Sequence, residues 1–232
     1  MKKSGFTLAE VIITIGLIGV VASVTMPTLI TNVQKSQIPS ALAKGITTLE
    51  TAVKDRLFEE NARSFDQITG NGSLFDASVG GIASVLNIKV ISKPYNVTYY
   101  DYSNTVLETI NTATFYMSQD GLLYIRKQED DDIKTLTDEQ IKKLPKNYSG
   151  KYYPIYIDAN GFKAPNVLGK DLFYVLVDTK GYVFPYGGRA YQAYTSASST
   201  LWETACNKTT VTNGSTCTGS IIDNGYKVIY KY

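Results

Sequence analysis

The sequence predicts an α+β fold: a long N-terminal helix with a membrane-spanning first half, packed against a C-terminal antiparallel β-sheet domain. Three observations predict it. From Phe6 to Met26 the only ionisable side chain is Glu10. After Pro27 the pattern turns amphipathic. Ile38, Leu42, Ile46, Leu49, Val53 and Leu57 recur at three or four residues, with Lys44, Glu50, Lys54 and Asp55 between them. Further on, short apolar and aromatic runs alternate with Asp-Gly, Asn-Gly and Lys-Gly turns.

The apolar run is the first element. About 21 residues rising 1.5 Å each give roughly 31 Å, the thickness of a bilayer core. Lys2 and Lys3 precede it and should stay cytoplasmic, which sends the C-terminus outward. An ordinary secretory signal fits poorly, because a carboxylate interrupts the run and "VASVTMP" is a weak cleavage site. A plain signal anchor is the other reading. The amphipathic stretch continues the same helix to about Asn61. Pro27 and Pro39 each lack a backbone donor and are expected to kink it or melt it locally.

The segment "KKSGFTLAEVIITIGLIGVVASVTMP" resembles the leader and first helix of the type IV pilin family, which includes the pseudopilins of type II secretion. A short basic leader ends in Gly5, and Phe6, Thr7, Leu8 and Glu10 open an apolar helix. The resemblance covers residues 2–30 and is only architectural beyond about residue 62. It implies cleavage between Gly5 and Phe6 by a membrane prepilin peptidase, then N-methylation of Phe6 by the same enzyme. It also implies a pilin-like fold and partners in other pilin or pseudopilin subunits and an inner-membrane assembly platform. Many members carry a proline at the position of Pro27. The resemblance gives Glu10 a partner in the N-terminal amine of a neighbouring subunit, which sets filament register. Such an attraction is strong in low dielectric. The alternative is a glutamate that snorkels, or is neutral, at the membrane edge. Loss of residues 1–5 removes two lysines and leaves the 21 acidic residues matched by as many basic ones.

The implied divisions are a leader at 1–5, a membrane and assembly helix at 6–27, its amphipathic continuation at 28–62 and an extracytoplasmic α+β domain at 63–232. Within that domain "SVGGIASVLNI" suggests a short helix and "PYNVTYYDYSN" a strand. "TATFYMSQDGLLYIRK" is the clearest hairpin. In the polar stretch that follows, Thr137 and Gln140 suggest a capping box on one or two helical turns. "KYYPIYIDANGFKAPN" and "KDLFYVLVDTKGYVFPYGG" read as strands broken at Asn160-Gly161 and Lys180-Gly181, and "SIIDNGYKVIYKY" as ending in a short strand.

Composition narrows function. A net charge of +2 gives no electrostatic case for a nucleic-acid partner. The absence of His removes Ser-His-Asp and Cys-His catalysis and the commonest metal ligand. Cys206 and Cys217 flank a polar segment with Asn213-Gly214 at its turn. In an exported domain this pair reads as a disulfide, and in a reducing compartment as two buried thiols. Asp158, Asn160 and Asp171 lie in an oxygen-rich loop of a kind that can hold calcium. Glycine falls at the fourth place and no glutamate closes the loop, so it is not an EF-hand. A structural turn explains it more simply, and no cofactor is otherwise expected. The run Glu129 to Asp132 reads as a solvated charge patch.

These features point to a structural subunit of a type IV pilus-like or type II secretion filament, not an enzyme. It would be a single-pass protein of the cytoplasmic membrane and later part of a surface or periplasmic filament. The other reading is a membrane-anchored extracytoplasmic binding protein that never polymerises.

Overall fold

A computed structural model describes residues 5, 7–69, 74–75, 81–83, 85–86, 89–91, 97–110, 114–118, 121–126, 133–195, 198–230 and 232. Helix α1 spans Leu8–Glu59 and is unbroken through both internal prolines, so neither Pro27 nor Pro39 melts it. Its outer half carries the anticipated stripe: Ile38, Leu42, Ile46, Leu49 and Val53 are buried, together with Ala52. Leu57 is partly buried at the edge of the same cluster, and the short helix α2 (Asp66–Thr69) follows α1.

The stripe lies on an antiparallel sheet. Its strands are β1 (Lys89–Ile91), β4 (Thr114–Met117), β5 (Leu123–Arg126), β7 (Lys151–Asp158), β8 (Leu172–Asp178) and β9 (Val183–Pro185), in that spatial order. Strand β6 (Lys134–Thr135) also pairs with β7, and β2 (Val97–Tyr100) forms a separate hairpin with β3 (Val106–Ile110). Registers Tyr153↔Val177, Ile155↔Val175 and Ile157↔Phe173 put six of the residues facing α1 in three cross-strand rows. Gly45 lets the helix approach closely, since a Cβ there would lie 3.1 Å from Ile157 Cγ2. The Glu50 carboxylate accepts the Val183 N–H at 3.1 Å and ties α1 to β9.

The opposite face of β8 and β9 buries Leu176 and Phe184 under Tyr194 of helix α4 (Arg189–Thr195). Tyr148, Tyr152, Tyr174, Tyr182 and Tyr191 pack around them, so many of the tyrosines serve the packing of a sheet face. Central β8, "LFYVLVD", is covered on both faces and is apolar almost throughout. In β7, Pro154 falls between the stretches paired with β5 and with β6. That side of the strand is locally an edge among the described residues, where a residue without an N–H is tolerated.

Several expectations from the sequence meet the structure directly. The hairpin is β4–β5, and helix α3 (Asp138–Lys143) starts with the Thr137–Gln140 capping box. The short helix over 78–88 is, among the described residues, a turn closed by the Leu86 N–H to the Ile82 carbonyl. The charge run Glu129 to Asp132 lies outside the described residues.

The final strand is a correction. Residues Cys217–Asp223 form helix α6, and the chain after it pairs with no strand among the described residues. Helix α6 rests directly on the turn before α4, since a Cβ at Gly219 would fall 2.2 Å from the Gly188 backbone nitrogen. The tail is then held by side chains, with the buried Tyr230 hydroxyl donating to the Gly169 carbonyl and Tyr232 to the Lys170 carbonyl.

Candidate functional site: the N-terminal arm

Before Ile38, α1 has no buried residue and stands clear of the sheet domain. Ile13 is 69% exposed and Leu29 65%, and exposed apolar side chains continue to Val33. Among the described residues α1 is the one helix long and apolar enough to cross a membrane. Its hydroxyls suit that role. Thr14 donates to the Val11 carbonyl, Ser23 to Val20, Thr25 to Val21, Thr28 to Thr25 and Thr31 to Pro27. Each polar hydrogen is used within the helix, as a lipid environment requires.

The arm begins with a feature that the apolar pattern alone conceals. Thr7 is the N-cap of α1, and its side chain accepts the Glu10 N–H at 3.3 Å. The Glu10 carboxylate in turn accepts the Thr7 N–H and the Thr7 hydroxyl, each at 2.8 Å. This is a complete capping box, and its Thr-x-x-Glu signature was present in the sequence. Glu10 thus has a partner within its own chain, and its charge faces the positive end of the helix. Gly5 is exposed, with no heavy atom within 4 Å of where a Cβ would stand. Phe6 and the lysines of the leader lie outside the described residues.

Residues 1–26 match the prokaryotic N-terminal methylation motif. This motif is the signature of type IV pilins and pseudopilins. No curated protein and no solved structure matches the chain at a significant level. The methylation motif and the unburied arm coincide, since the motif ends at Met26, inside the exposed apolar stretch.

Two further sets of residues singled out by sequence sit in the sheet domain. Cys206 and Cys217 form a disulfide with a Cα–Cα distance of 5.2 Å, both residues fully buried. It joins helix α5 (Trp202–Ala205) to α6, and the Trp202 indole spans the same gap to Asp223 at 2.7 Å. Gly214 turns the intervening loop at φ +85°, where a Cβ would meet the Leu168 carbonyl oxygen at 2.0 Å.

Asp158, Asn160 and Asp171 are brought together. Asp158 and Asp171 are both fully buried. The Asp171 carboxylate accepts N–H groups from Val167 at 2.7 Å, Asn166 at 2.8 Å and the Asn160 side chain at 3.0 Å. Asp158 accepts the Asn160 N–H at 3.1 Å. Burial, then the charge of Asp171, pushes the Asp158 carboxyl up to about 8. Burial raises Asp171 too, against the opposing pull of the Val167 and Asn166 N–H groups. Tyr99, which sequence reasoning did not connect to this loop, faces both carboxylates, and its hydroxyl is pushed well up by burial and then by their charges. It arrives because Tyr100 pairs with Asn166 and Leu168 across the loop, a contact between distant segments that no local pattern announces.

Proposed function

We propose that this protein is a structural subunit, pilin or pseudopilin, of a type IV pilus-like or type II secretion filament. The methylation motif carries this reading. An apolar arm that packs on nothing in its own chain supports it, because such a surface requires lipid or other helices to cover it. The subunit inserts with its C-terminal domain outside, is cut between Gly5 and Phe6, and assembles through α1. Its partners are the prepilin peptidase and N-methyltransferase, other subunits and the assembly platform.

Glu10 has a specific part in this scheme. In the single chain its carboxylate is occupied by Thr7. Cleavage creates an amine at Phe6. Once subunits stack, the neighbour's amine provides a charged partner in a medium of low dielectric, where the attraction is strongest. The carboxylate then sets register, the best-attested use of a buried polar group.

Mass spectrometry of the mature N-terminus, from cells with a prepilin peptidase, tests the reading. A chain starting at N-methylated Phe6 is expected. A chain that keeps Met1 would refute it in favour of a plain membrane anchor.

A further inference from the structure

Asp158 and Asp171 are fully buried, and no ion pair among the described residues involves either one. Asn160 holds them side by side: its backbone N–H donates to Asp158 at 3.1 Å and its side-chain amide to Asp171 at 3.0 Å. Their surroundings are unequal. Asp171 also accepts the Val167 and Asn166 N–H groups, at 2.7 and 2.8 Å, so three donors hold its charge. Asp158 Oδ2 accepts no N–H, and the side-chain partner of this carboxyl is the Tyr99 hydroxyl. Two like charges held this close in a dry site, with no cation between them, disfavour each other strongly. One proton resolves the conflict, and it belongs on the carboxyl with fewer N–H donors, Asp158.

We propose that Asp158 and Asp171 share one proton at neutral pH and that its loss unfastens β2 from the β7–β8 loop, so that the junction is a pH-sensitive latch. Topology decides which part yields. Asp158 ends β7 and Asp171 precedes β8, and these strands pair from Tyr152↔Asp178 to Asp158↔Leu172. The acids cannot part from each other without breaking that central ladder. Strand β2 is different, because among the described residues it pairs with β3 alone, outside the main sheet. The Tyr100 N–H donates to the Asn166 carbonyl at 3.0 Å and the Leu168 N–H to the Tyr100 carbonyl at 2.9 Å, which fastens β2 to the loop. Tyr99, 2% exposed, and Val97 close it over Leu168 and Leu172. A two-stranded hairpin is marginally stable by itself. Opening at this junction is therefore the least costly way to admit water to a second charge.

The other groups that face the pair keep their charge state near neutrality. From β2 comes Tyr99, whose hydroxyl is held neutral by burial and then by the two acids. From the C-terminal tail come Tyr230 and Tyr232, which burial also keeps neutral, with Asp171 adding to the effect on Tyr232. Within the loop, Lys170 lies over the Tyr102 ring at 5.2 Å and Lys163 is exposed, and neither pairs with an acid among the described residues. The β4–β5 turn meets the loop through the Gly121 carbonyl, near Gly161. Burial, then the charge of Asp171, pushes the Asp158 carboxyl up to about 8, whereas an unfolded aspartate titrates at about 4. Between these values the folded chain holds one proton more than the unfolded chain. Stability therefore falls as pH rises, by up to about tenfold in the folding constant per pH unit, and this contribution levels off once the folded group has ionised. The inference does not depend on the filament reading.

The test uses the full-length chain, oxidised, in detergent micelles. Urea unfolding is compared across pH for the wild type and for Asp158→Asn, which fixes the neutral form. The two should be equally stable at about pH 5, and the variant should then gain up to about tenfold in relative folding constant per pH unit until about pH 8. Hydrogen exchange, corrected for its intrinsic pH dependence, should show the Tyr100 and Leu168 amides opening as the wild type passes pH about 8, while the β7–β8 ladder holds. Carbon-13 NMR of labelled aspartate carboxyls reads the proton directly in the wild type. One carboxyl should titrate near 8 and be missing from Asp158→Asn. A wild type whose aspartate carboxyls have all ionised by about pH 5 would overturn the proposal, whether or not the variant folds. Parallel pH profiles for the two proteins would overturn it as well. Exchange that rises equally in β2 and in the β7–β8 ladder would overturn the latch.

Discussion

Breaking the Cys206–Cys217 disulfide should destabilise the sheet domain by about 3 kcal/mol without changing its fold. The loop it closes has a sequence separation of 11 residues, and chain entropy for a loop of that size gives roughly 3 kcal/mol at 25 °C. Reduction alone keeps both sulfurs in place, so this is nearly its whole cost. The double variant Cys206→Ala with Cys217→Ala also empties two fully buried positions. At about 1 kcal/mol for each methyl-sized void, its loss should approach 5 kcal/mol. The order of stability is therefore oxidised, then reduced, then double alanine. Local structure should survive, because the Trp202–Asp223 hydrogen bond and the contact of Gly219 with Gly188 hold α5 and α6 independently. The assay is urea unfolding of the full chain in detergent, with and without reductant. With m about 2 kcal/mol/M, the reduced midpoint should fall by about 1.5 M. Superimposable oxidised and reduced curves would refute the reasoning, as would a double variant as stable as the oxidised protein.

Gly5→Leu should abolish maturation while leaving the fold intact, since a side chain there meets nothing within 4 Å; processing to the wild-type mass would count against cleavage after Gly5. Glu10→Ala should insert into the membrane and fold normally, yet be depleted from the sheared filament fraction relative to the membrane pool. It also removes the acceptor for the Thr7 N–H, so Glu10→Gln, which can still accept that bond, separates cap loss from charge loss: it should fail in assembly too. Leu49→Ala, at a fully buried point of the α1 stripe, should cost about 2–5 kcal/mol by urea unfolding and leave processing untouched.

Much of this protein was legible in its sequence, because much of it depends on local periodicity and chemistry. The spacing of Ile38, Leu42, Ile46, Leu49 and Val53 determined which face of α1 is buried, since a helix presents residues three and four apart on one side. Thr137 with Gln140 announced α3, and Thr7 with Glu10 would have announced the start of α1 by the same rule. The methylation motif is likewise a contiguous string of residues. Only the tertiary structure decided the rest. Residues 220–222, Ser-Ile-Ile, suit a strand in isolation. They are helical in α6, where Gly219 rests against the Gly188 backbone and Cys217 is tied to Cys206. The loop holding Asp158 and Asp171 reads along the chain as an ordinary turn. It becomes a buried, doubly acidic cluster because β7 and β8 pair from Tyr152↔Asp178 to Asp158↔Leu172 and β2 lies across the loop with Tyr99. Those contacts join segments far apart in sequence, and their energies depend on which backbone lies alongside, a quantity that no local pattern contains.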